Sequence, residues 1–243
     1  MAKIITSFII ALMLLSCQSK EEQPTGPWLV KQSIAYHDPD SAWKNFSGLL
    51  HINLKYPDGK TRMSEVLIDN KQDQFSLYEV RQDTIYRYAD KDTVYSLVNG
   101  LSISQEDSLM TKLRLTPEHT LLMRNYYTYL YGLPMKLMDS GTKIGKQIDT
   151  VNFYGEDLYK VKVTYAEDVG SDIWYFYFKR DNYALKAYQF FHDEGKNDGE
   201  YILLDGELQC NDIVFPKDRT WYTNDSSKTL GTDLLVSCDH PLK

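Results

Sequence analysis

The chain has 243 residues, 42% of them apolar and 25% charged, so it is neither disordered nor membrane-embedded and is long enough to bury a substantial core. Its formal charge of −7 lacks the basic footprint that phosphate backbones require, which argues against nucleic acid as a partner. With 19 Tyr, 9 Phe and 4 Trp and little Leu/Ala-rich helix, the chain reads as sheet.

At the N-terminus, Lys3 precedes an apolar run from Ile4 to Leu15 broken only by Thr6 and Ser7. This is a signal-peptide pattern, and its 12 residues fall short of the roughly 20 that span a bilayer as a helix. The run ends in Leu14-Leu15-Ser16-Cys17, which resembles a bacterial lipoprotein lipobox: a Leu three residues before the cysteine and a small residue just before it. The resemblance implies cleavage before Cys17, a diacylglycerol on its thiol and an acylated amine, a near-permanent membrane anchor. An ordinary cleaved signal with an incidental cysteine is the other reading. Gln18 stands where an Asp retains lipoproteins in the inner membrane, so outer-membrane sorting is expected. Lys20-Glu21-Glu22 resembles the surface-export signal of Bacteroidota lipoproteins, which keeps both the periplasmic face and the cell surface open. Residues 1–16 are therefore read as signal peptide, 17–27 as a lipid-anchored tether and 28–243 as a single domain.

Pro27 to Tyr36 is expected to be a short helix ended by His37-Asp38-Pro39-Asp40. From Phe46 the period becomes two, with Phe46, Leu50, Ile52 and Leu54 on one face and Ser47, His51 and Asn53 on the other. A turn at Pro57-Asp58-Gly59 leads to strands at 62–69, 75–80, 84–88 and 93–98, a meander of hairpins. Helical signals then interrupt. Ser104 can cap a helix over 105–113, and Thr116 precedes Pro117 at the start of a longer helix that Gly132 and Pro134 stop. Strands resume at 149–153, 158–165, 172–178, 183–192, 200–209, 213–222 and 229–236. One of them is apolar on both sides: Ile173, Tyr175 and Tyr177 face one way, Trp174, Phe176 and Phe178 the other, so both faces must be covered or line an apolar space.

Short antiparallel strands in two runs, with helices before and between them, exclude a βαβ layout. The expected fold is α+β: a strongly curved antiparallel sheet, a half-open barrel of about 10–12 strands, with helices packed on or plugging its concave side. The run Asn125-Tyr-Tyr-Thr-Tyr-Leu-Tyr-Gly-Leu-Pro-Met-Lys-Leu137, with Trp174-Tyr-Phe-Tyr-Phe178, Gly199-Glu-Tyr-Ile202, Phe215-Pro-Lys217 and Gly231-Thr-Asp233, resembles a family of Bacteroidota lipoproteins of unknown function. That family is similar in layout to the lipoprotein carriers of the Lol system (LolA-like) and to mycobacterial lipid-carrying lipoproteins. The resemblance implies a half-open barrel whose mouth is plugged by helices, with an apolar cavity between.

No catalytic residues, metal site or cofactor are expected. Ser140-Gly-Thr-Lys143 matches the Ser-x-x-Lys of penicillin-recognising hydrolases, but that chemistry needs a helix, which Gly141 and Gly145 disfavour. The five histidines show no metal-ligand spacing, and adjacent acidic pairs on strands point to opposite faces. An enzyme would need His51, His119 or His192 to meet a carboxylate or cysteine in a cleft. Cys210 and Cys238 are an even pair that closes a 28-step loop as a disulfide or is buried as two free thiols. The remaining candidate site is apolar: Tyr126, Tyr127, Leu133 and Met135 as a lid, Trp174 and Phe176 as wall, around a lipid, acyl chain or lipoprotein. The alternative is that these residues fill the barrel of a non-catalytic structural or interaction module in an outer-membrane complex.

Overall fold

A computed structural model describes residues 24–104 and 107–240. Cys17, the signal segment and most of the tether lie outside the described residues. Helix α1 (Gly26–His37) leads into β1 (Ser47–Lys55), β2 (Thr61–Asp69), β3 (Gln74–Val80), β4 (Thr84–Ala89), β5 (Val94–Val98) and β6 (Leu101–Ser102). Helices α2 (Ser108–Lys112) and α3 (Pro117–Tyr131) follow. The second run is β7 (Thr142–Ile144), β8 (Asp149–Phe153), β9 (Glu156–Tyr165), β10 (Ile173–Lys179), β11 (Leu185–Phe191), β12 (Glu200–Cys210), β13 (Ile213–Thr223) and β14 (Thr229–Asp239). Every pairing is antiparallel, in one curved, unclosed sheet of 14 strands ordered β6-β5-β4-β3-β2-β1-β14-β13-β12-β11-β10-β9-β7, with β8 also paired to β9. The expected α+β half-barrel is the observed one. Two short strands, β6 and β7, exceed the expected number because two or three residues carry no readable period.

The first and last strands pair, Leu50 opposite Cys238 and Leu54 opposite Asp233, and this joins the two meanders. Alternation on β1 buries Leu50 and Ile52 on the concave face, where Val66, Ile68, Phe75 and Leu77 continue the layer. From the other arm come Phe176, Phe178, Tyr188, Ile202, Phe215 and Leu235. Between the arms lie Leu29 and Val30 of α1 and Tyr127, Leu130 and Tyr131 of α3. The doubly apolar strand β10 is covered on both sides. Phe176 and Phe178 join this core, while Tyr177 on the outer face lies beneath Phe153 of β8, ring centroids 4.1 Å apart and nearly parallel.

Helix starts follow local chemistry. Thr116 accepts a hydrogen bond from the His119 amide and Pro117 occupies the first turn of α3, as the sequence leads one to expect. For α2 the cap is Asp107 rather than Ser104, since the Asp107 carboxylate accepts from the Leu109 amide at 2.8 Å and the helix starts at Ser108. Gly26 brings α1 against the chain before β8: its amide donates to the Lys146 carbonyl at 2.9 Å, and a Cβ there would sit 2.0 Å from the Gly145 carbonyl oxygen. No helix among the described residues is long and apolar enough to cross a membrane.

His37 lies inside the helix that the sequence reading ended before it. It ends α1 and is buried, its Nδ1 donating to the Val214 carbonyl at 2.6 Å and its Nε2 accepting from the Leu185 amide at 3.0 Å. Burial lowers its pKa below the ordinary 6.5, against the raising effect of the Val214 bond. The neutral ring therefore stabilises the fold fully above about pH 6.5, and the contribution is lost as pH falls through the lower folded value. His37→Gln can make both hydrogen bonds without titrating, so its urea midpoints at about pH 7 and about pH 5 should differ less than those of the native chain.

Cys210 and Cys238 are joined as a disulfide with their Cα atoms 5.7 Å apart, linking β12 to β14 past the start of the strand between them. In the chain-entropy model a loop of this length contributes about 3–4 kcal/mol. Replacing both cysteines by serine should lower the unfolding free energy by about that amount in urea titrations.

Candidate ligand cleft

A cleft of about 600 Å³ opens between the two arms of the sheet, on one side of α3. Its first wall is the β2–β3 hairpin end, with Ile68, Asp69, Asp73 and Phe75. The opposite wall comes from the end of β9 and the start of β10, with Tyr165, Asp172 and Trp174. Helix α3 forms the floor through two i,i+4 pairs, Arg124/Thr128 and Asn125/Tyr129, and the turn after it adds Lys136 and Asp139.

Three aromatic rings meet at one corner. Tyr129 stands edge-on to Trp174 at 5.6 Å and to Tyr165 at 6.3 Å, and its hydroxyl is hydrogen-bonded to that of Tyr165. Burial raises the Tyr129 phenol well above its ordinary value, with Tyr165 and Asp139 adding to the shift. Burial likewise pushes Tyr165 up to about 12, against the effect of its bond to Tyr129. Both phenols are neutral at physiological pH, one donating to the other. Lys136 pairs with Asp139. Asp69 accepts from the Ser47 hydroxyl and the Gln72 amide, each at 2.8 Å. Asp172 lies 2.8 Å from His192 Nδ1, a hydrogen bond that raises the exposed imidazole's pKa above 6.5.

The six residues proposed from sequence are divided. Trp174 lies on the wall of the cleft. Tyr126, 39% exposed, stacks on Trp221 at 6.2 Å in a smaller pocket of about 160 Å³ on the other side of α3, with Arg62 and Asp233. Tyr127, Leu133, Met135 and Phe176 are packed in the main core. Tyr127 lies parallel to Phe75 and Tyr131, and Phe176 to Trp174. Tyr165, Arg124 and Asp172 are not among the site residues read from sequence, and Tyr129 enters there only as part of the tyrosine-rich run of α3. Their available signal was the i,i+4 recurrence on α3; the meeting with Tyr165 and Asp172 is tertiary and leaves no spacing in the chain.

The cleft presents aromatic rings and hydrogen-bonding side chains to its interior. His192 pairs with Asp172 at the cleft, but among the described residues no serine, threonine or cysteine hydrogen-bonds its ring. Ser140 lies in the turn before β7, and Lys143 is in that strand, so the Ser-x-x-Lys match does not form one helical turn. Among the described residues no group of three or more His, Cys, Asp or Glu side chains is gathered as a metal site.

Core and wall positions should separate by stability. Phe176→Ala leaves a cavity in packed surroundings and should cost about 3–5 kcal/mol, whereas Trp174→Ala at the half-buried wall should cost distinctly less, both read from urea unfolding.

Comparison with functionally curated proteins gives no match. Among solved structures, a LolA superfamily protein from Nitrosomonas europaea superposes with a TM-score of 0.51 at 8% identity, covering 91% of this chain and 96% of its own. A DUF1329 family protein from Desulfovibrio piger does so with a TM-score of 0.51 at 10% identity, covering 90% and 95%. At such identities the likeness is one of fold, and the fold is LolA-like. The sequence model of the family of unknown function DUF6503 matches residues 3–237, nearly the whole length, and the chain belongs to that family.

Proposed function

We propose that the protein is a non-catalytic, lipid-anchored component of the cell envelope that binds the apolar part of a lipid, an acyl chain or a lipoprotein in the cleft between the arms of its sheet. The observation that carries this reading is the cleft itself. Its volume of about 600 Å³ lies within the range of ligand sites and exceeds the roughly 160 Å³ of the pocket across α3, and it is flanked by Trp174, Tyr129, Phe75 and Ile68. Each methylene buried on those side chains contributes about 0.8 kcal/mol, so about ten of them match the roughly 8 kcal/mol of micromolar binding before the cost of association is met. The similarity in fold to a LolA superfamily protein supports a carrier-like role. The anchor in this reading is Cys17, at the outer membrane, on its periplasmic face or at the cell surface.

A structural or interaction module in an outer-membrane complex is the second reading, and the burial of Tyr127, Leu133, Met135 and Phe176 in the main core favours it. Its surface is the outer face, where Tyr154, 57% exposed, stacks on Tyr201 at 4.8 Å and Tyr201 on Tyr222 at 4.9 Å.

Native mass spectrometry of the purified protein should find a co-purifying lipid or lipopeptide. Trp174→Ala should weaken binding of a fatty-acid probe about tenfold, the loss of about 1–2 kcal/mol of ring contact. A chain that carries no lipid and binds no acyl probe would leave only the module reading.

A further inference from the structure

The charges and rings of the cleft go beyond what an acyl chain requires. Four carboxylates line it, those of Asp69, Asp73, Asp139 and Asp172, against two cations, Arg124 and Lys136. The lining stays net negative even with His192 protonated on Asp172. An acyl chain alone gains nothing from such a rim, and an anionic head group is repelled by it. The aromatic corner has a matching chemistry. Tyr129 stands edge-on to both Trp174 and Tyr165, so three electron-rich rings meet on the lining of the cleft, and Asp139 acts electrostatically on both phenols. Rings of this kind attract an ammonium through their negative faces, most strongly where water is partly excluded. Arg124 stands on the floor of the same cleft, and no ion pair with it is formed among the described residues. A guanidinium so placed suits a phosphate or carboxylate carried by the same ligand.

We propose that the cleft selects an amphiphile whose head group carries an ammonium, with the aromatic corner of Tyr129, Tyr165 and Trp174 receiving that cation beside the carboxylates of Asp139 and Asp172, which it shares with Lys136 and His192, and Arg124 taking the anionic group of a zwitterionic head. The inference rests on the reading of the cleft as an amphiphile site. It names the chemical class of the head group, and with it the reason for a polar rim around an apolar wall.

The test is a titration of the mature chain with lysolipids that share one acyl chain: lysophosphatidylethanolamine, lysophosphatidylcholine, lysophosphatidylglycerol and monoacylglycerol, each below its critical micelle concentration. The ethanolamine and choline compounds should bind about tenfold or more tightly than lysophosphatidylglycerol, which carries the same phosphate and chain without the ammonium. Equal or tighter binding of lysophosphatidylglycerol or monoacylglycerol would overturn the head-group inference and leave the acyl site standing. Failure of all four to bind would overturn the amphiphile site as well. Asp172→Asn, checked for folding by its unfolding midpoint, should lower the affinity ratio of lysophosphatidylethanolamine to lysophosphatidylglycerol by about threefold or more. An unchanged ratio in that variant, and in Asp139→Asn, counts against the carboxylates and overturns their assigned role.

Discussion

The pairing of the first strand with the last decides where everything else can go. Once β1 and β14 are hydrogen-bonded, the two meanders become one sheet whose free ends are β6 and β7. Those two strands are neighbours in the chain order of strands and lie at opposite ends of the sheet, separated in sequence by α2 and α3. The connection must travel from one end to the other. On a sheet this strongly curved, the route that buries apolar side chains crosses the concave side, and so α3 lies between the arms with Tyr127, Leu130 and Tyr131 in the core.

A helix in that position is a mixed blessing for packing. Its tyrosines bring rings and hydroxyls into the interior, and the sheet beneath sets charged groups close to that layer. The Arg219 guanidinium lies over the Tyr131 ring at 4.0 Å and donates to the Pro216 carbonyl at 2.9 Å. Asp233, raised in pKa by burial, accepts the Trp221 indole N–H at 3.0 Å. Arg87 donates to the carbonyls of Leu113 and Arg114 and so ties the link between α2 and α3 to the β4 end of the sheet. The helix is held at its start and along its inner face, and one flank is left standing clear of the arms. That flank is the floor of the cleft.

The two faces of β10 show how the same geometry divides labour. Inward, Phe176 and Phe178 close the core; at the strand's beginning Trp174 reaches the cleft with Phe190 stacked against it at 4.9 Å. Outward, Tyr177 and Tyr175 belong to the aromatic layer that β8 folds over. The inner layer backs the cleft wall, where Phe176, Tyr188 and Phe190 pack around the half-buried Trp174.

Much of the local structure, though neither β6 and β7 nor the cap of α2, was legible in the sequence. Period-two alternation marked the long strands, Thr116 and Pro117 marked the start of α3, and the doubly apolar 173–178 segment required cover on both faces, because these patterns follow from backbone geometry within a few residues. The sequence also placed aromatic weight on α3 and β10, which the structure brings together. Tertiary structure alone decided which rings are core and which are wall. Tyr127 and Tyr129 are two residues apart on one helix, yet one is packed on Phe75 and the other meets Tyr165 and Trp174 from strands more than thirty residues away. Helical periodicity gives their relative directions. What lies in each direction depends on how the β1–β14 pairing closes the sheet around the helix, a long-range contact that no local pattern encodes.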